Sequence, residues 1–171
     1  MIQAFRNFMT RRTISAKARN KVMNSFSNYK IFNEIRVKAE TLRQKEHRPH
    51  EVLYFHKVDD PYSHLTVQCI AKFQSSFDII LKPILVGEEN HGAIHEPSLY
   101  NIYCLLDVQR IAPFYGVNFN AHEYPEKKLI DKANSILSSV KEEDFAKIAN
   151  LVSAALWEDD ADALDELSSS F

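Results

Sequence analysis

Residues 52–65, VLYFHKVDDPYSHL, constrain the fold of this chain more than any other stretch. Val52, Leu53, Tyr54 and Phe55 form an apolar run of strand formers that passes through two acids into Pro61. Beyond the proline, Leu65, Cys69 and Phe73 recur at helical spacing and predict one apolar helix face. Asp60 has the side chain of an N-cap and Pro61 suits the first helical position, so the segment reads as strand, short turn, helix. The first turn of such a helix presents free backbone N–H groups and a partial positive charge. It can hold an anion or lower the pKa of a thiol.

At 171 residues the chain has room for one domain with a real core, and 45% hydrophobic content fits a globular protein. No apolar run approaches the roughly 20 residues that a membrane-spanning helix needs. The net charge of −2 conceals a split. Residues 1–50 hold 12 Lys and Arg against 3 Asp and Glu, and the remainder holds 9 against 20.

The first 33 residues contain no acid, and Ile14, Ala18, Val22 and Phe26 recur every four residues, which predicts a basic amphipathic helix. Ile35 and Leu42 carry the pattern to Lys45, and Arg48-Pro49-His50 ends it. Residues 1–50 are therefore read as a basic helical extension and residues 51–171 as the body. The extension is open to three readings: packing on the acidic body, a mitochondrial transit peptide within residues 1–30, or an arm that contacts a polyanion. A secretory signal is disfavoured, because no apolar segment lies between the charges. Outside the transit-peptide reading, the expected location is cytoplasmic.

Within the body, Gly87–His95 reads as a polar loop, Pro97 and Ser98 open the next helix, Pro113 interrupts or follows it, and Gly116 marks a turn. Residues 140–157 predict a helix with Phe145, Ile148, Ala149, Val152 and Leu156 on one side, its positive end complemented by Glu142, Glu143 and Asp144. Leu164 and Leu167 allow a short helix in the acidic tail. Strand, helix, strand, followed by a helical block, makes the expected architecture α/β with a parallel crossover.

These residues resemble a known family. The 52–65 stretch looks like the first strand-helix unit of DsbA-like thioredoxin-fold proteins, near the branch of 2-hydroxychromene-2-carboxylate isomerase and kappa-class glutathione transferase. That branch carries Ser-Pro-Tyr-Ser where disulfide oxidoreductases carry Cys-x-x-Cys; here the four positions are Asp60, Pro61, Tyr62 and Ser63. Phe77–Val86 resembles the second strand. Glu96–Phe119 resembles the helical insertion, with Asp107 and Arg110 ahead of Tyr115-Gly116-Val117 and Phe119. Tyr124-Pro125 with Leu129 and Ala133 resembles the next turn and helix, and Phe145–Trp157 a later insertion helix. The resemblance implies a thioredoxin-like βαβ core with a helical insertion, and oxidoreductase or isomerase activity on glutathione or a thiol conjugate. Family members end in two further strands and a helix, and nothing after Trp157 reads as strand. Either the chain is a fragment or a partner completes the core.

At the four motif positions there is no sulfur, so dithiol-disulfide exchange cannot run at this turn. In the resembling branch the first-position serine donates to the glutathione thiolate. Asp60, an acceptor when ionised, would instead repel a thiolate. Asp60 is thus either a helix cap or a base that orients a substrate donor. Ser63 either replaces the missing hydroxyl or is an ordinary first-turn serine. Tyr62 and His56 are candidates for ligand contact, with packing and a structural histidine as the plainer readings. Pro125 is either the proline that faces the motif, often cis in the family, or a trans proline opening a helix over 126–137. Tyr124 precedes it at the same place.

Cys69 and Cys104 sit in no Cys-x-x-Cys or metal-like spacing and read as reduced thiols in a reducing compartment, with a structural disulfide between them as the alternative. His91 and His95 are separated by Gly92, so no metal site is expected. Three glycines in the whole chain exclude a glycine-rich phosphate loop. Asp107 and Arg110 predict a surface helix pair. The expected partners are a small thiol or glutathione conjugate, a protein partner or second copy, and a polyanion at the N-terminal helix. A non-catalytic thioredoxin-like binding module is the alternative to an enzyme.

Overall fold

Seven helices and one two-stranded parallel sheet form among the described residues, 14–87 and 94–170, of a computed structural model. The chain divides into two units, Met1–Pro49 and His50–Phe171.

The first unit contains α1 (Ile14–Phe26) and α2 (Tyr29–Lys45). Asn28 separates them, because its side chain accepts from the backbone N–H groups of Lys30 and Ile31 and caps α2. Val22 is exposed, while the side chains of Ile14 and Phe26 lie outside the described ones. No residue of α2 is buried. Lys17, Asn20, Lys21, Asn24 and Asn28 line one groove of the unit, without an acid among them.

The second unit begins with β1 (His50–His56), α3 (Pro61–Ser76) and β2 (Ile79–Leu85), the βαβ order expected from the 52–65 stretch. β1 and β2 pair in parallel with His50 opposite Ile79 and His56 opposite Leu85. Pro83, which lacks an N–H for a ladder, is tolerated because β2 is an edge strand. Alternation along β1 buries Tyr54 and His56 and leaves Leu53 and Phe55 exposed.

A sheet of two strands cannot hold itself together, so helices supply the core. Four follow: α4 (Pro97–Tyr115), α5 (Lys127–Ser139), α6 (Glu142–Trp157) and α7 (Ala161–Ser169). Helix α6 is the central element, burying Phe145, Ala149, Val152 and Leu156 against α3, α5 and α7. Its first turn carries the three acids predicted to favour a positive helix end. Helix α7 docks through Leu164, which is fully buried, and is capped by Asp160.

Two expectations need correction. Pro113 lies inside the last turn of α4 instead of interrupting or following the helix. The chain leaves that helix three residues later at Gly116, in the left-handed region at φ 66°, with Val117 N–H bonded to the Ala112 carbonyl. The buried face of α3 is also turned. Leu65 is buried with Ser63, His64, Val67 and Ile70, whereas Phe73 is exposed and its ring meets Phe77 at 5.1 Å. Only the first half of α3 runs beneath other elements. The polar loop predicted at Gly87–His95 falls largely on residues 88–93, which lie outside the described residues.

Candidate functional site

The turn between β1 and α3 is built from its own side chains. Asp60 N–H donates to the Lys57 carbonyl at 3.2 Å and closes the turn. The Asp60 carboxylate then caps α3: Oδ2 accepts from Ser63 N–H at 2.8 Å and from Ser63 Oγ at 2.7 Å. Ser63 Oγ in turn accepts from Lys57 N–H at 3.3 Å. The serine hydroxyl is therefore engaged both as donor and as acceptor. Asp59, expected to be a solvated loop acid, is half-buried and paired with Lys57 Nζ at 2.8 Å.

His56 is completely buried. Burial, followed by the charge of His64, lowers its pKa to about 4, so the ring is neutral at neutral pH. The Tyr54 hydroxyl, held protonated by burial, lies 2.8 Å from Nδ1 and donates to the Ser63 carbonyl at 3.4 Å, and Nε2 lies 3.4 Å from Ser153 Oγ. His56 is thus a satisfied core residue that no ligand at the turn can touch.

Tyr62 points away from Asp60. Its hydroxyl donates to Asp107 Oδ2 at 2.8 Å and ties α3 to α4, and burial together with that bond raises the phenol's pKa. Asp107 therefore serves Tyr62, and no ion pair joins it to Arg110 among the described residues.

Trp157 connects the turn to the Tyr124-Pro125 segment. Its indole N–H donates to the Val58 carbonyl at 3.2 Å, just ahead of the two acids. Its ring meets Tyr124 edge-on at 5.6 Å, Phe119 at 5.3 Å and His64 in a stack at 6.2 Å. Tyr124 and Pro125 border a cavity of about 530 Å³ that is also lined by Asn120, His122, Trp157 and the acids Glu123, Glu126, Glu158 and Asp159. The Tyr124–Pro125 peptide is trans, as no peptide bond is cis among the described residues. Pro125 precedes the cap of α5 and is not its first helical residue.

The Tyr124 phenol has its pKa raised by burial first and then by neighbours that include Cys104, Asp60 and Asp59. It stays protonated and has no hydrogen-bond partner among the described residues. The cavity wall accordingly offers neutral donors, the Tyr124 hydroxyl and the Asn120 amide, beside four carboxylates.

The segment expected to face the motif is linked to the turn through Trp157, and no hydrogen bond joins Pro125 to Asp60 or Ser63 among the described residues. Of the other candidates, Asp60 and Ser63 bond to each other, while His56 and Tyr62 are committed elsewhere. From sequence, Trp157 is only the end of a helix, Asp107 half of a surface pair with Arg110, and His64 has no role. The chain's single tryptophan was the one available signal for the first of them. His64 is buried with Nε2 near the Gln68 amide and with no partner for Nδ1. Burial lowers its pKa to about 4.

Cys104 is buried, Cys69 is half-buried, and both are free thiols. Among the described residues no three metal-ligating side chains converge; His95 is described, His91 is not. No helix among them is long and apolar enough to cross a membrane. The fold is a mixed α/β arrangement of one parallel βαβ unit with helices around it. Comparisons with protein-family models, curated proteins and solved structures return no match to this chain.

Proposed function

We propose that this is a DsbA-like thioredoxin-fold protein that binds glutathione conjugates, or another small thiol conjugate, in the cavity beside Tyr124 and Pro125. In this reading it works without disulfide exchange, because positions 60–63 hold no sulfur. The observation that carries the reading is the cavity itself. At about 530 Å³ it falls within the usual range for small-molecule sites, and it adjoins the turn after β1 through Trp157.

The electrostatics favour a conjugate over free glutathione. A thiolate would meet the carboxylates of Glu123, Glu126, Glu158 and Asp159 that line the cavity, whereas the sulfur of a thioether is neutral. Tyr124 supplies a protonated hydroxyl to a ligand carbonyl, and Trp157 supplies a flat apolar wall. Any oxidoreductase or isomerase chemistry would use Asp60 as the base, which requires breaking its bonds to Ser63.

Calorimetry with S-methylglutathione and glutathione tests this on the wild type, Asp60→Ser and Tyr124→Phe. The conjugate is expected to bind the wild type and to bind Tyr124→Phe roughly tenfold more weakly, the scale of one hydrogen bond. Glutathione is expected to gain affinity on Asp60→Ser. Binding of neither compound to either the wild type or Asp60→Ser would sink the assignment.

The second reading is a non-catalytic thioredoxin-like module that docks a protein or polyanion. It is favoured by the closed Asp60–Ser63 pair, and on the polyanion side by the acid-free groove of the first unit. Salt-insensitive association would count against its electrostatic form.

A further inference from the structure

We infer that α2 lies along an anionic lipid surface, with its apolar face set into the headgroup layer and the cations beside that face on the phosphates. No residue of the helix is buried. Ile31, Phe32, Ile35, Ala39 and Leu42 nonetheless fall within about 100° of arc at 3.6 residues per turn. All five are exposed, Ile35 at 53% and Leu42 at 51%. Asn33, Glu34, Thr41 and Gln44 occupy the far side, with Val37 among them.

Charges along the two edges of this face say what covers it. Lys38 and Lys45 border it beside Ile31, and Arg36 and Arg43 border it beside Phe32. The Arg36 guanidinium lies over the Phe32 ring, 4.4 Å from its centroid, so that cation already sits at the rim of the apolar stripe. Arg43 is paired with Glu40 and Arg48 with Glu46, whereas Lys38 and Lys45 carry no ion pair among the described residues. Residues 14–49 hold nine Lys and Arg against three Glu. Long cationic stems on both rims let an apolar stripe sink while the charged heads stay at the phosphates. The exposed face of α4 has Arg110 as its one cation, and Lys82 on the sheet is paired with Glu51, so neither offers that frame.

A nucleic acid would take the cations and leave Phe32, Ile35 and Leu42 in water, since phosphate contacts need no apolar stripe. A protein partner would have to bring an apolar groove with acids along both of its edges. An anionic bilayer supplies apolar depth and negative charge together, whatever the rotation of the helix in its plane. The 17 residues of α2 make about 26 Å of helix, too polar to cross a membrane and suited to lie on one. The inference uses α2 alone and is independent of the ligand cavity.

Co-sedimentation of the full chain with vesicles tests it, using phosphatidylcholine alone and phosphatidylcholine with about one-third phosphatidylserine. The wild type is expected to bind the anionic vesicles and to leave them as salt rises. Ile35→Glu is expected to bind more than about tenfold more weakly. Lys38→Gln combined with Lys45→Gln should bind about 25-fold more weakly, at roughly fivefold for each cation. Because α2 buries no residue, circular dichroism should be unchanged in both variants. As a measurement that does not depend on a disrupted variant, Phe32→Trp should be quenched by brominated lipids in the anionic vesicles, against the buried Trp157 of the wild type as background. A wild type that ignores the anionic vesicles overturns the inference, as does one that binds a short DNA duplex in their place or holds neutral vesicles equally well. So does vesicle binding that survives Ile35→Glu with Phe32→Trp unquenched, which would place the contact elsewhere.

Discussion

Lowering the pH from 7 to about 5.5 should destabilise the His50–Phe171 unit by about 2 kcal/mol through two buried imidazoles, His56 and His64. Burial lowers both pKa values from 6.5 to about 4. The folded protein keeps the rings neutral while the unfolded chain takes up protons at its ordinary value. The unfolded state thus binds more protons between these limits, and stability falls with pH. The contribution is complete above pH 6.5, is lost as the pH drops toward 4, and changes no further below that. Each ring forfeits about 1 kcal/mol at pH 5.5 and about 3 kcal/mol below 4, out of a total that is typically 5–15 kcal/mol for a domain. Carboxylates remain charged at pH 5.5, so they contribute little to the first part of the fall. Urea unfolding measures it: the midpoint should drop by on the order of 1 M between the two pH values. His64→Phe keeps a ring against Phe119 and Trp157 but removes one titration and the unpartnered Nδ1. It should halve the drop without lowering stability at pH 7. A midpoint that is the same at both pH values, or a full drop in His64→Phe, refutes the reasoning.

Two further outcomes follow from packing and capping. Asp60→Ala removes the side chain that caps the first turn of α3 and should cost about 1–2 kcal/mol in urea unfolding, whereas Asp60→Ser, itself a capping residue, should restore most of it. Leu164→Ala should cost about 2–5 kcal/mol, because Leu164 is fully buried and is the anchor of α7; a loss under about 1 kcal/mol would mean that α7 is not docked as described.

Local signals carried a good part of this architecture. Asp60 and Pro61 start α3 because cap and first-position preferences act within a few residues, and Gly116 ends α4 because only its own backbone must reach positive φ. Acids at 142–144 mark the start of α6 for the same reason. What stayed hidden depends on distant residues. The hydroxyl of Tyr62 finds Asp107 45 positions away, and Trp157 reaches the Val58 carbonyl 99 positions away. The buried face of α3 follows from where α4 and α6 happen to cross it, so the Leu65, Cys69, Phe73 spacing pointed to a face only half used. Pro113 is tolerated in α4 because the helix is already in its last turn, a length that spacing alone does not set. At the candidate site, sequence set Tyr124 and Pro125 opposite the motif, and the structure links Tyr124 to that turn through the Trp157 ring. It overstated His56, which burial removes from any ligand.

The cavity beside Trp157 can be read directly, since that indole is the only one in the chain and lines the cavity wall. Titrating S-methylglutathione into the protein while following tryptophan fluorescence should give a saturable change, shifted to higher ligand concentration in Tyr124→Phe. A signal that stays flat up to the solubility of the ligand, with the protein shown to be folded, would contradict a conjugate-binding site at this place.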